Sequence, residues 1–276
     1  MFQPAIPLSG IAGWKFLQST YTRQLESYSD SPQIRNDRDY MLEKLSEPMS
    51  IDDLMADKRL LRVTMTAFGL AGEEWKGGFI RKALEEVADP ESTFLARLNN
   101  TKYTNFAEAL SPVDGKIIMS SSELAKIAVN FEAESFQTAV GEINDSMRLA
   151  LNYQSEISEM VGTDSSDKTI LYRILGDVPV RTVMETAFNL PDGLSSLDLD
   201  RQAEILEKQI TSVLGISDLS DLSKPEVTEK MINRFLAMET IENGSTSYSP
   251  ASAALTLLSS GVGSQASENL FLSLLS

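Results

Sequence analysis

Along most of this chain apolar side chains recur at three- and four-residue steps, the period at which one face of an α-helix repeats. Ile11, Trp14, Phe16, Leu17, Tyr21, Leu25 and Tyr28 mark one face of an amphipathic helix, and Ser31-Pro32 breaks it, because the residue before proline is pushed out of the helical conformation. Ile34, Met41, Leu42 and Leu45 carry a second helix to Pro48. Ser50-Ile51-Asp52-Asp53 is a helix start of the Ser-x-x-acid kind, and Leu54, Leu60, Leu61, Val63, Met65 and Phe68 continue from it to Gly69. Gly77-Gly78 opens a run through Phe79, Ile80, Ala83, Leu84 and Val87, and a further run passes through Phe94, Leu95, Leu98, Tyr103, Phe106 and Leu110. Only Lys116-Ile117-Ile118-Met119, after the turn dipeptide Asp114-Gly115, reads as a short extended piece. The expected fold class is all-α.

Two stretches echo one another: Thr66-Ala67-Phe68-Gly69-Leu70 and Thr186-Ala187-Phe188-Asn189-Leu190. Each closes a helical run, and glycine and asparagine are the residues that best tolerate the left-handed conformation just past a helix end. The echo predicts two similar helix ends, with Phe68 and Phe188 buried. Five residues do not establish duplication, and no longer repeat period accompanies them.

Between the echoes, Leu124, Ile127, Phe131, Phe136, Val140, Ile143, Met147, Leu151, Ile157, Met160 and Val161 keep the helical rhythm without a proline. One helix about 55–60 Å long at 1.5 Å per residue is expected to join two related halves. A break near Gly141 is the competing arrangement, although an internal glycine costs only about 1 kcal/mol relative to alanine. The resulting plan is a multi-helix bundle: an N-terminal amphipathic helix (1–30), a helical subdomain (31–118), a long connecting helix (119–162), a second helical subdomain (163–242) and a flexible Ser/Ala/Leu-rich tail (243–276). The tail is almost uncharged, and Leu270, Phe271, Leu274 and Leu275 form an apolar island at helical spacing that either docks on the protein's own body or binds something else.

The 276 residues, 42% of them hydrophobic, are enough to bury a substantial core. Forty acidic against 24 basic residues give a net charge of −16, which disfavours nucleic acid as a partner. With no cysteine and no histidine, disulfides, thiolate chemistry and the commonest general base and metal ligand are gone. No phosphate-binding glycine loop and no Gly-x-Ser-x-Gly elbow occurs. The tight acidic pairs read first as structure: Asp52-Asp53 and Asp198-Asp200 as helix starts, Asp37-Arg38-Asp39 as solvated ion pairs. Lys58, Arg59, Arg62, Arg81 and Lys82 either receive an acidic partner helix or pair with nearby carboxylates. No catalytic residue, cofactor or metal site is expected. No signal peptide or apolar run of the roughly 20 residues a membrane span requires is read, so the chain is expected to be cytoplasmic or to leave the cell by a route that needs no cleaved signal.

Taken in order, Pro7-Leu8-Ser9-Gly10-Ile11-Ala12-Gly13-Trp14-Lys15-Phe16-Leu17, Asp37-Arg38-Asp39-Tyr40, Asp52-Asp53-Leu54-Met55-Ala56-Asp57-Lys58-Arg59-Leu60-Leu61, Ala67-Phe68-Gly69-Leu70, Phe79-Ile80-Arg81-Lys82 and Leu95-Ala96-Arg97-Leu98-Asn99-Asn100-Thr101-Lys102-Tyr103 resemble an uncharacterised bacterial family, the domain of unknown function numbered 1217. Members often carry an acidic residue before the Lys-Tyr pair, where this chain has Asn100-Thr101. Family members tend to be encoded among flagellar genes. The resemblance implies a flagellum-associated role and assigns no site residues. The expected function is therefore a non-enzymatic helical interaction protein of flagellar assembly or structure, binding protein partners through Trp14, Phe16 and Leu17 at one end and Leu270, Phe271, Leu274 and Leu275 at the other. A cytoplasmic chaperone or regulator of flagellar export, and a carboxylate-based enzyme or metal binder using Asp37, Asp39, Asp198 or Asp200, are the alternatives.

Overall fold

The structure, a computed structural model, describes residues 2–244 apart from 90, 99, 163 and 164. The apolar island Leu270, Phe271, Leu274 and Leu275 lies outside the described residues. Among those described, the regular elements are helices: α1 (Gly10–Ser29), α2 (Pro32–Leu45), α3 (Ile51–Ala56), α4 (Lys58–Thr66), α5 (Gly77–Glu86), α6 (Phe94–Leu98), α7 (Thr101–Ala109), α8 (Ser121–Ile143), α9 (Asp145–Val161), α10 (Asp167–Gly176), α11 (Val178–Phe188), α12 (Leu199–Gln209) and α13 (Pro225–Gly244). The extended reading of 116–119 survives only as two isolated bridges, Met49 with Ile117 and Val113 with Lys116.

The two echoed stretches end their helices with the same pair of backbone bonds. Gly69 N–H donates to Thr66 O at 3.0 Å and Leu70 N–H to Met65 O at 3.0 Å; Asn189 N–H donates to Thr186 O at 3.0 Å and Leu190 N–H to Glu185 O at 2.9 Å. Gly69 (φ +66°) and Asn189 (φ +52°) both stand in the left-handed region, completing a Schellman-type cap. Phe188 is buried, whereas Phe68 is half-buried and lies edge-on to Phe106 at 5.6 Å.

The expected forty-residue connecting helix is two helices. They divide at Asn144, three residues past Gly141, where φ −152° and ψ 105° make the backbone extended. Asn144 ends α8 by donating its N–H to Val140 O at 2.8 Å, and its side-chain Oδ1 accepts from Met147 N–H to start α9. Gly141 has a different role: a Cβ there would stand 2.4 Å from Arg148 Cδ, so the glycine lets α9 pass close beside the end of α8. Asp57 and Asp177 make the same one-residue corner between α3 and α4 and between α10 and α11, each with an extended backbone and a carboxylate accepting from the third amide of the next helix. The run read as one helix from Ser50 to Gly69 is thus broken at Asp57.

Two hydrophobic cores result. One is built from α2 to α5, α7 and the first half of α8, around Met41, Leu61, Met65, Phe106 and Phe131. The other is built from α1, the second half of α8 and α9 to α13, around Trp14, Leu17, Phe136, Tyr153, Met184 and Phe235. Helix α8 serves both, with Ile127 and Phe131 in the first and Phe136 and Val140 in the second.

The first helix is part of this framework. Trp14 is 3% and Leu17 0% exposed, so both side chains fill the second core and offer no surface to a partner; Phe16 is half-buried. The preceding segment folds back along α1, held by Gln24, which accepts from Ala5 N–H through Oε1 at 2.6 Å and donates from Nε2 to Ala5 O at 3.2 Å. Gly13 permits that return, since a Cβ there would lie 2.1 Å from Leu8 O. The amphipathic face that reads as a docking helix in the sequence is the face α1 turns toward α8, α9 and α13.

Candidate functional site

Two places combine chemistry with position. The first is the ionic junction where α7, from the first half, meets α9 and the start of α11. Lys102 Nζ lies 3.4 Å from Asp177 Oδ2 and 3.7 Å from Glu156 Oε1, and all three side chains are only 12–13% exposed. Glu134 of α8 faces the same ammonium, and Gly69 covers both: a Cβ there would be 3.3 Å from Lys102 Cδ and 3.4 Å from Glu134 Oε2. The first echoed helix end therefore roofs the junction. Beside it, Asn105 Nδ2 donates to Glu159 Oε2 at 2.9 Å, again from α7 to α9.

One ammonium against three carboxylates sets the electrostatics. Burial drives the Lys102 ammonium toward neutrality, but Glu156, Asp177 and Glu134 outweigh it and raise its pKa. Burial pushes Glu156 up from 4.5 to about 7, with the Lys102 charge opposing and Asp177, Glu134 and Glu159 adding to the rise. Burial likewise raises Glu134, against the pull of Lys102 and Arg148 and with the push of Glu159 and Asp177. Burial thus favours the protonated form of Glu156 and of Glu134 relative to an exposed carboxyl.

The second place is an open groove of about 540 Å³ lined by Trp75, Phe79, Leu98 and Tyr103, with Glu73 and Lys76 at its edge. Tyr103 hydrogen-bonds Glu73, and Phe79 stacks edge-on to Tyr103 at 4.7 Å. Trp75 is 80% exposed, with Lys76 Nζ 5.5 Å from its ring centroid. Burial and the hydrogen bond to Glu73 both push the Tyr103 hydroxyl's pKa up, so it stays a donor.

The acidic residues singled out in the sequence do not converge. Asp37 is buried between Arg59 (Nε at 2.8 Å from Oδ1) and Arg62 (Nη2 at 2.7 Å from Oδ2), pinning α2 to α4. Asp39 is an exposed partner of Arg38. Asp52 pairs with Arg81 at 2.7 Å, and Asp53 closes a capping box with Ser50. Asp198 caps α12 and Asp200 pairs with Lys168 at 2.7 Å. The basic residues around the first echo are likewise engaged locally: Lys58 with Met55 O, Lys82 with Glu86 and over the Phe94 ring. Among the described residues no group of three or more His, Cys, Asp or Glu is arranged to hold a metal ion, and no helix is long and apolar enough to cross a membrane.

Sequence reasoning passed over Glu134, Glu156 and Asp177. A signal was present for Glu156, which sits three residues after Tyr153 and four before Met160, on the buried face of α9. Trp75 gave no pattern, because it stands in an irregular loop.

Fold and junction together define an all-helical protein with two cores sharing one helix. The chain belongs to the family described as Protein of unknown function (DUF1217), whose model matches residues 67–228. It is similar to protein AGR_C_984 from Agrobacterium tumefaciens, whose crystal structure aligns with a TM-score of 0.68 at 25% identity over 87% of this chain and 99% of that one. No curated protein matches the chain.

Proposed function

We propose that this is a non-enzymatic interaction protein that works in flagellar assembly or structure by binding another protein through the Trp75 groove. The observation that carries the binding reading is the contrast between the two tryptophans: Trp14 is 3% exposed, whereas Trp75 is 80% exposed at the lip of an aromatic groove. Tryptophan is enriched among the residues that dominate binding energies, and an unburied indole beside a concave aromatic surface is the kind of anchor such interfaces use. The flagellar part rests on family membership and the gene neighbourhood its members tend to share. The non-enzymatic part is supported by the local engagement of Asp37, Asp39, Asp198 and Asp200 as ion pairs and caps.

The test is an affinity pull-down from motile cells with the full chain, with Trp75→Ala and with a variant ending at Glu242. Trp75→Ala is expected to fold normally and to lose the captured flagellar protein, because removing such an anchor costs roughly 2 kcal/mol or more of binding, a loss of about 30-fold. Undiminished capture by Trp75→Ala would end the groove reading, and capture lost only on truncation would move the binding site to the tail. Deleting the gene is expected to reduce swimming or filament number; unchanged motility would remove the flagellar part.

A further inference from the structure

The two halves have separate cores, and what faces α7 across the junction is charged and polar. From α7 come Lys102 and Asn105; from α8, Glu134; from α9, Glu156, Glu159 and Arg148; and from the corner before α11, Asp177. Tyr28 of α1 bridges both cores and donates to Ser135 O at 3.1 Å. Helix α8 runs through both cores, and α1 leads directly into α2. An interface held this way is sensitive to the protonation state of its members, because buried like charges repel and each desolvated carboxylate is disfavoured when ionised.

We infer that the Lys102–Glu134–Glu156–Asp177 junction is a proton-dependent latch between the two halves, closed with one carboxyl protonated and released as that proton is lost. Linkage fixes the sign. Parting the halves hydrates Glu156 and returns it toward the ordinary 4.5, whereas in the closed junction it titrates at about 7. The closed form therefore binds the proton more tightly, and opening grows as pH rises between those values. With these two values the opening constant increases about tenfold between pH 6 and pH 8. The chain contains no histidine, so the side chain that most often titrates in this window contributes nothing.

The absence of cysteine allows unique labelling. Glu43→Cys on α2 and Lys208→Cys on α12, both exposed and in opposite halves, carry a donor and an acceptor dye for single-molecule energy transfer on the full chain. A second transfer state is expected whose population relative to the closed state is about tenfold larger at pH 8 than at pH 6. Adding Glu156→Gln, which mimics the protonated carboxyl, is expected to abolish that pH response while the closed state persists. A single transfer state at both pH values, or an equal pH response with Glu156→Gln, would overturn the latch. Glu134→Gln, expected to weaken the response, provides a second variant should Glu156→Gln fail to fold, and an undiminished response would then count against the latch.

Discussion

Lys102→Met is expected to destabilise the protein by about 3–5 kcal/mol, the usual cost of removing one partner from a buried ionic group. The methionine fills much the same space, so packing is nearly conserved and the loss is electrostatic. Glu134, Glu156 and Asp177 would keep their desolvation while losing the one ammonium they share. Urea unfolding checks this: the midpoint should fall with little change in slope, as expected when stability changes but the surface exposed on unfolding does not. The deficit should be smaller at pH 6 than at pH 8, since protonating Glu156 relieves the unpaired charge. A change under about 1 kcal/mol would mean that the junction is a solvated surface pair.

Phe136→Ala is expected to cost about 3–5 kcal/mol through the cavity it leaves. Phe136 is fully buried and meets Tyr21 and Tyr28 edge-on at 5.5 and 5.6 Å, so it is the point where α8 grips α1. Its loss should loosen α1 first. Trp14, the tryptophan of that helix, then serves as a reporter: its emission should shift to the red before the first core unfolds, because it lies in the same core as Phe136. A fall in melting temperature with Trp14 emission unchanged up to the global transition would show that α1 does not depend on this contact.

What could be read from the sequence was whatever local chemistry dictates. The helical period gave the all-α class, and Gly69 and Asn189 gave two helix ends that match bond for bond. Ser50 with Asp53, and Asp198, were readable as helix starts because a short side-chain acceptor must meet the free amides of the first turn. The corners at Asp57 and Asn144 escaped, since one polar residue that caps both neighbouring helices leaves the apolar rhythm undisturbed and needs neither glycine nor proline. The role of α1 escaped for a different reason. An apolar face announces that it will be covered, and only tertiary structure decides whether the cover is the protein itself. The junction was hidden because Lys102, Glu134, Glu156 and Asp177 are far apart in sequence and share no motif.

The most direct test of the account is urea unfolding of the wild-type chain and Glu156→Gln at pH 6 and pH 8. Glu156 has a folded pKa of about 7 against an ordinary value of 4.5, so the stability it carries is complete below the lower value and is lost as pH rises through the upper one. Wild type is expected to be less stable at pH 8 than at pH 6 by about 1.4 kcal/mol, the equivalent of one tenfold change. Glu156→Gln should show little difference between the two pH values and exceed wild type in stability at pH 8. Equal wild-type stability at both pH values, or the same loss in Glu156→Gln, would contradict a junction built around a buried, proton-binding carboxyl.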